Sequence, residues 1–419
     1  MKKKLMVLVL VLALVAALSV GLVACNNDDG GKGNVPIFDA AFPLPTVTLN
    51  ATGEAAKDSF KVGVIHINSV SSRAGYSYAH EQGILATQKA VGLRDDQIFY
   101  EDNIDDTKSA DVTAAIERLI AKGCKLVIGT SFGYMEEMEA AATANPNVLF
   151  SHGTGYLSNT TNFNNYFGRI YQARYMSGIV AGMKASQGGN IGYVAAHGDY
   201  IAECSSGINA FALGVQSVNP NAKVYVKSLG SWYNPDKETS YAEALLAAPY
   251  NCEVIAQHCD TENPPVAAKN AGKYSIGYNS DMSKTPAGDT CLTSVVWNWG
   301  VYYAKLVENA LNGTFTTLGN YYGGFADGLF DLAPLSAKCA AGTAERVDLV
   351  KAMLKDSANT WDVFTNVALS FETVGGNLTV VKTARQLLRA DGSEIKEPIT
   401  VGNITGDMEY WINGVTYLA

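Results

Sequence analysis

The chain has 419 residues, 47% of them hydrophobic, which is enough to fill the cores of two or three ordinary domains and excludes a disordered or fibrous protein. Its 40 acidic and 31 basic residues give a net charge of −9. That sign excludes a nucleic-acid partner, whose binding needs clustered Lys and Arg to release counterions, and it disfavours polybasic membrane attachment.

Lys2, Lys3 and Lys4 precede an apolar run from Leu5 to Ala24, the basic and hydrophobic parts of an export signal. Leu22-Val23-Ala24-Cys25 resembles a bacterial lipobox, which predicts a signal peptide over 1–24, cleavage before Cys25 and a diacylglycerol on its thiol. An uncleaved helix is the alternative, because about 20 apolar residues span a bilayer. The polar run from Asn26 to Gly31 favours the lipid. Residues 25–58 are rich in Asn, Gly, Pro and Asp and read as a flexible tether with a reach of roughly 30 Å. The reach is shorter if Ile37, Phe38 and Phe42 pack on the domain.

From Phe60 onward, strand and helix patterns alternate. Runs at 60–67, 97–101, 125–130 and 147–152 read as buried strands, and 77–91, 110–121 and 134–144 carry apolar residues at helical spacing. After a helical 172–186 a second series begins, with strands at 190–196, 222–229, 252–258 and 273–279 and helices at 204–218, 235–248 and 266–271. Two such series predict an α/β fold of two parallel-sheet lobes. Asn234, Pro235, Asp236 and Glu238 mark a capped helix start, so Trp232 just before it sits at the C-terminal end of a strand, where open parallel sheets bind ligands. A further strand and helix follow Asp289, then a helix near 344–354 and hairpin-like pieces NLTVV and MEYWINGV.

Catalytic chemistry is thin. Gly129-Thr130-Ser131-Phe132-Gly133 matches the GxSxG nucleophile elbow between strand and helix, but His152, His197 and His258 have no triad context, and a Gly-lined ligand loop is the favoured reading. His80-Glu81 lacks the second histidine of a zinc helix, and Asp102, Asp105 and Asp106 do not follow calcium-loop spacing. No phosphate loop occurs, and neither a cofactor nor a metal is expected. Six further cysteines, Cys124, Cys204, Cys252, Cys259, Cys291 and Cys339, form no CxxC pair. Cys252 with Cys259 is the nearest candidate disulfide, with buried free thiols as the equal alternative.

Aromatic residues collect at the expected strand ends: Tyr76, Phe132, Tyr156, Trp232, Trp297 and Trp299, with His258, Asp260, Asn279 and Asp281 as polar neighbours. Rings stack on flat heteroaromatic ligands while carboxylates and amides read the ligand edge. Each ring alone could equally be core packing.

The stretches TSFGYM (130–135), SHGTGY (151–156), GINAFALGVQSVNP (207–220), SWYNPDKE (231–238), AQHCD (256–260), NSDM (279–282) and LTSVVWNWGVYY (292–303) resemble the basic membrane protein family, purine-nucleoside-receptor-like lipoproteins that serve ABC importers. WDVFTNVALS (361–370) and MEYWINGV (408–415) are similar to the family's tail, and the likeness covers nearly everything from Lys61 onward. The resemblance implies a periplasmic-binding-protein type I fold, with a hinge and a ligand cleft between the lobes. The expected organisation is lobe 1 mainly over 59–170 with segments returning after about 290, lobe 2 over 171–289, and an extension over 321–419. It further implies Tyr76 and Trp232 as the rings that stack on the base and Asp281 or Asn279 as the edge reader. The lysine that nucleoside binders aim at the ribose aligns with Trp297, which favours a free base such as adenine over a nucleoside; separately, Ser72-Arg73-Ala74-Gly75 replaces the usual Gly-Asp, and Arg73 takes no role from the family. The expected ligand-binding set is Tyr76, Phe132, Tyr156, Trp232, Asp260, Asn279, Asp281 and Trp297. The expected protein is a monomeric, lipid-anchored carrier on the extracytoplasmic face that delivers a purine base or nucleoside to ABC permease subunits. A type I carrier of another solute such as a sugar, a surface sensor or adhesin, and a secreted serine hydrolase using Ser131 remain the alternatives.

Overall fold

The structure is a computed structural model and describes residues 41–70, 74–396, 399 and 403–418. The predicted leader, Cys25, and Ser72 with Arg73 lie outside the described residues.

The first described helix, α1 (Ala51–Lys57), lies inside the segment expected to be a tether. Asn50 caps it by accepting from the Gly53 amide at 2.8 Å, and the Asn50 amide donates to the Asn312 side chain at 2.9 Å. Val47 and Leu49 pack on the core. The tether expected over 25–58 therefore stops short of 58, because residues that read as coil formers are here a cap and a docking contact.

Lobe 1 follows with β1 (Val62–Ile65), α2 (Tyr76–Val91), β2 (Ile98–Glu101), α3 (Ser109–Ala121), β3 (Leu126–Gly129), α4 (Met135–Ala144), β4 (Leu149–Gly153) and β5 (Phe163–Gly168). Lobe 2 takes α5 (Tyr171–Lys184), β6 (Asn190–Ala195), α6 (Ala202–Gln216), β7 (Lys223–Ser228), α7 (Pro235–Leu246), β8 (Val254–His258), α8 (Asn263–Asn270), β9 (Tyr274–Asn279) and β10 (Cys291–Trp297). The chain returns to lobe 1 through α9 (Gly300–Asn312), the short α10 (Phe315–Leu318) and β11 (Tyr321–Gly323), then adds β12 (Phe330–Leu332) to lobe 2. Beyond lie α11 (Thr343–Lys355), β13 (Val367–Val374), β14 (Asn377–Ala384) and β15 (Val415–Leu418).

The lobe 1 sheet runs β11-β5-β4-β3-β1-β2, parallel throughout. The lobe 2 sheet runs β12-β10-β9-β8-β6-β7-β15, with only β12 antiparallel. Central strands covered by helices on both faces carry continuous apolar runs, and β1 (VGVI) and β3 (LVIG) are buried at every position. The α7 start is as expected: Asn234 accepts from the Lys237 amide at 3.1 Å, and the Glu238 carboxylate accepts from the Asn234 amide at 3.1 Å.

Three details complete or correct the expectation. The return to lobe 1 comes at α9, which packs on α2, after β10 has paired with β9 and β12 in the second sheet. MEYWINGV forms no hairpin. It leads into β15, which extends the lobe 2 sheet in parallel beside β7, whereas β13 and β14 do form one across Gly375-Gly376, both at positive φ. Of the two equal alternatives for Cys252 and Cys259, the structure has the second: both thiols are free and buried.

Candidate ligand-binding cleft

The C-terminal ends of both parallel sheets face a common cleft, as open α/β sheets arrange it. Lobe 1 supplies Tyr76 at the start of α2, Ser131 and Phe132 after β3, and Thr154 after β4. Lobe 2 supplies Glu203 in the first turn of α6, Trp232 after β7, His258 at the end of β8, Asp260 just beyond, and Tyr278 in β9. The inner cavity lies between these groups, and its wall combines aromatic rings with hydrogen-bonding side chains. It shares Phe132, Glu203 and Trp232 with an outer section that Tyr156, His197, Tyr200 and Tyr233 help to line.

The two lobes touch across this cleft. Gly75 (φ +86°) passes so close to the Asp260 carbonyl that no Cβ fits between them. The Tyr76 amide donates to the Asp260 carboxyl, and the Asn68 side chain approaches the same group at 3.5 Å. From behind, the Asn279 side-chain amide donates to Asp260 at 3.3 Å. Burial, with the Glu238 and Glu203 carboxylates nearby, pushes the Asp260 carboxyl up to about 8, so at neutral pH it carries its proton and can donate. Burial holds His258 down at about 4, so its imidazole is neutral. Its Nε2 lies 3.3 Å from a Glu203 oxygen and is assigned the proton, which leaves Nδ1 as a buried acceptor with no protein partner. The buried Tyr76 hydroxyl also has no protein partner.

The Tyr76 ring is backed by an aromatic column. It meets His80 edge-on at 4.2 Å, His80 stacks on Trp299 at 4.4 Å, and Trp299 stacks on Trp297 at 4.2 Å. The column runs from α2 of lobe 1 to β10 of lobe 2. Trp232 meets His197 edge-on at 4.5 Å and lies 6.0 Å from His258. Beneath the floor, the buried Arg174 guanidinium lies 3.6 Å over the Tyr278 ring and donates to the Gln257 carbonyl at 2.6 Å.

Of the residues singled out from sequence, Tyr76, Phe132, Trp232 and Asp260 meet in the inner cavity. Tyr156 stands in the outer section, 70% exposed, with its ring 6.4 Å from Phe132. Three are not on the cavity wall. Asn279 is buried behind Asp260 and fixes that carboxyl. Trp297 is buried in the column and donates to the Tyr278 hydroxyl at 3.3 Å. The Asp281 carboxylate is occupied as a cap, accepting from the Ser283 amide at 3.1 Å and its hydroxyl at 2.6 Å. Strand-end position alone could not separate a wall residue from one a layer behind. Sequence reasoning missed Glu203 and Tyr278. Glu203 follows β6 just as Trp232 follows β7, a signal that could have found it, whereas Tyr278 has the pattern of any strand aromatic.

The GxSxG segment is no nucleophile elbow. The Ser131 hydroxyl donates to Asp106 at 2.6 Å, and His152 meets the Ser131 backbone carbonyl at 2.8 Å, not the hydroxyl.

Among the described residues no helix is long and apolar enough to cross a membrane. Residues 60–337 match the profile of the Bmp family, described as ABC transporter substrate-binding protein PnrA-like. A purine-binding protein of Brucella abortus (strain 2308) is 36% identical over 281 residues, covering 67% of this chain and 77% of that one. A Haloferax volcanii protein named as a putative ABC transporter glucose-binding protein is 32% identical over 282 residues, 67% of this chain and 68% of its own. A solved ABC transporter solute-binding protein from Aeropyrum pernix K1 has a TM-score of 0.59 at 15% identity, over 75% of this chain and 94% of that one, a likeness of fold alone. With two parallel-sheet lobes around a cleft of periplasmic-binding-protein type I architecture, the chain belongs to the Bmp family of ABC transporter substrate-binding proteins, which hold a small solute on the extracytoplasmic side for permease subunits.

Proposed function

We propose that the solute is a purine, a free base such as adenine before a nucleoside, held between Tyr76 of lobe 1 and Trp232 of lobe 2. The observation that carries this reading is the meeting of those two rings in one cavity with hydrogen-bonding groups of both kinds around them. Protonated Asp260 would donate to a ring nitrogen, while Glu203 and the free His258 Nδ1 would accept from an exocyclic amine or ring N–H. Contacts from both lobes favour the closed arrangement, since a ligand shifts a hinge equilibrium only through differential binding. The purine-binding relative from Brucella supports the same choice. Trp297, turned into the column, offers no group to a ribose. The protein acts as a carrier and not as an enzyme, with Ser131 and Asp106 as wall structure.

A sugar is the second reading, favoured by the glucose-binding name of the Haloferax relative. Calorimetric titration with adenine, guanine, hypoxanthine, adenosine, ribose and glucose separates the two. Adenine binding tighter than ribose and glucose is expected, and no binding by any purine would sink the claim. The lipid on Cys25 belongs to the same proposal: Cys25→Ser is expected to release the protein from the membrane fraction.

A further inference from the structure

Residues 338–419 lie beyond the part of the chain that the family profile matches. Their last stretch is fastened along lobe 2. Met408 is buried and its carbonyl accepts from the Ser205 hydroxyl. Asn209 of α6 holds both sides of the segment, donating to the Tyr410 carbonyl at 2.9 Å and accepting from the Ile412 amide at 3.1 Å. Trp411 and Ile412 are buried, and β15 then pairs with β7 over Val415 to Leu418. This strap is tied to the same helix whose first turn carries Glu203, and its Glu409 stands on the wall of the outer cleft. Asp105 and Asp106 of lobe 1 line the same space, Asp105 in an ion pair with Lys108 at 3.1 Å. Among the described residues, no lysine or arginine lines the inner or outer section.

We propose that the C-terminal strap is a specificity element of the cleft: Glu409, with Asp106 and Glu203, keeps anions out, so that an uncharged ligand enters and its phosphorylated form is refused. The ligand half of this statement rests on the purine reading, whereas the charge half does not. A phosphate brings nearly two negative charges into a space walled by carboxylates, and low-dielectric walls focus that field on the mouth. Screening limits it to about 8 Å at physiological salt, so the effect depends on a carboxylate held at the mouth itself. The anchoring through Met408, Tyr410 and Ile412 provides that.

The test has two arms, each on the full chain with Glu409→Lys and Glu409→Gln. Glu409 is exposed, so neither change disturbs the buried anchors. The first arm needs no ligand. Of the five tryptophans only Trp232 is not buried, so quenching by iodide, relative to neutral acrylamide, reads the charge at the cleft. The iodide-to-acrylamide ratio is expected to rise about threefold in Glu409→Lys and by less in Glu409→Gln. An unchanged ratio overturns the strap's role. The second arm titrates adenine, adenosine and adenosine monophosphate. Wild type should refuse the monophosphate, and Glu409→Lys should narrow its disadvantage against adenosine about fivefold while adenine binding stays within about twofold. A disadvantage that does not move overturns the proposal. If wild type binds no purine, the functional reading falls and the quenching arm alone decides the strap.

Discussion

Gly75 lies against the carbonyl oxygen of Asp260 with no room for a methyl group, and this contact joins lobe 1 to lobe 2 at the inner end of the cleft. At φ +86° the position also favours glycine on backbone grounds. Gly75→Ala should therefore hold the lobes apart. The expected outcome is ligand affinity weaker by about tenfold and a larger radius of gyration in solution scattering, with melting lowered by only a few degrees. Unchanged scattering and affinity would show that the contact does not govern closure.

Tyr76 and Trp232 are the only rings from opposite lobes proposed to stack on the ligand. Removing a ring that stacks on a base costs about 1–3 kcal/mol. Tyr76→Ala and Trp232→Ala should each weaken purine binding roughly 10- to 100-fold, and Trp232→Phe should keep most of it. Calorimetry reads this directly. Equal losses for the phenylalanine and alanine variants of Trp232 would point to its N–H rather than its face.

The Asp260 carboxyl gives the ligand-free protein a pH dependence of definite sign. Its folded value is about 8 against about 3.9 in an unfolded chain, so the folded state binds the extra proton between those values. Stability contributed by this group must fall as pH rises from 4 towards 8, and the penalty is complete above 8. His258, held at about 4, acts the other way, lowering stability as pH falls from 6.5. The difference in melting temperature between Asp260→Asn and wild type isolates the first effect. That difference should grow in the variant's favour from pH 5 to pH 8, and a flat difference would contradict the assignment.

Asp281 caps a short turn and does not reach the cavity. Asp281→Ala should lower stability by about 1 kcal/mol through the lost cap while leaving purine affinity within about twofold. A large loss of affinity at constant stability would return Asp281 to the ligand.

The sequence made the architecture legible where pattern and burial coincide. The eight β-rich runs through residue 279 are strands, the central ones because buried parallel strands carry uninterrupted apolar residues, and the start of α7 could be read from Asn234 and Pro235. β5 was not legible. Its sequence, FNNYFG, puts two asparagines inside the strand, and Asn164 is buried and donates to the Gly319 carbonyl at 3.0 Å, a partner 155 residues away. The same limit explains the site. Tyr76, Phe132, Trp232 and Asp260 follow strands and reach the cavity, but whether Trp297 faces a ligand or another tryptophan depends on Trp299 and His80, brought together only by folding. The edge position of β15 was hidden for a like reason, since a parallel partner far back in the chain leaves no local mark.

A crystal structure of the protein grown with adenine would show whether a purine ring is clasped between the lobes. The ring is expected in the inner cavity, at stacking distance from Tyr76 and Trp232, with its edge on Asp260 and the Glu203–His258 pair. Adenine bound elsewhere, or a cavity that keeps a sugar in the presence of excess adenine, would contradict that expectation.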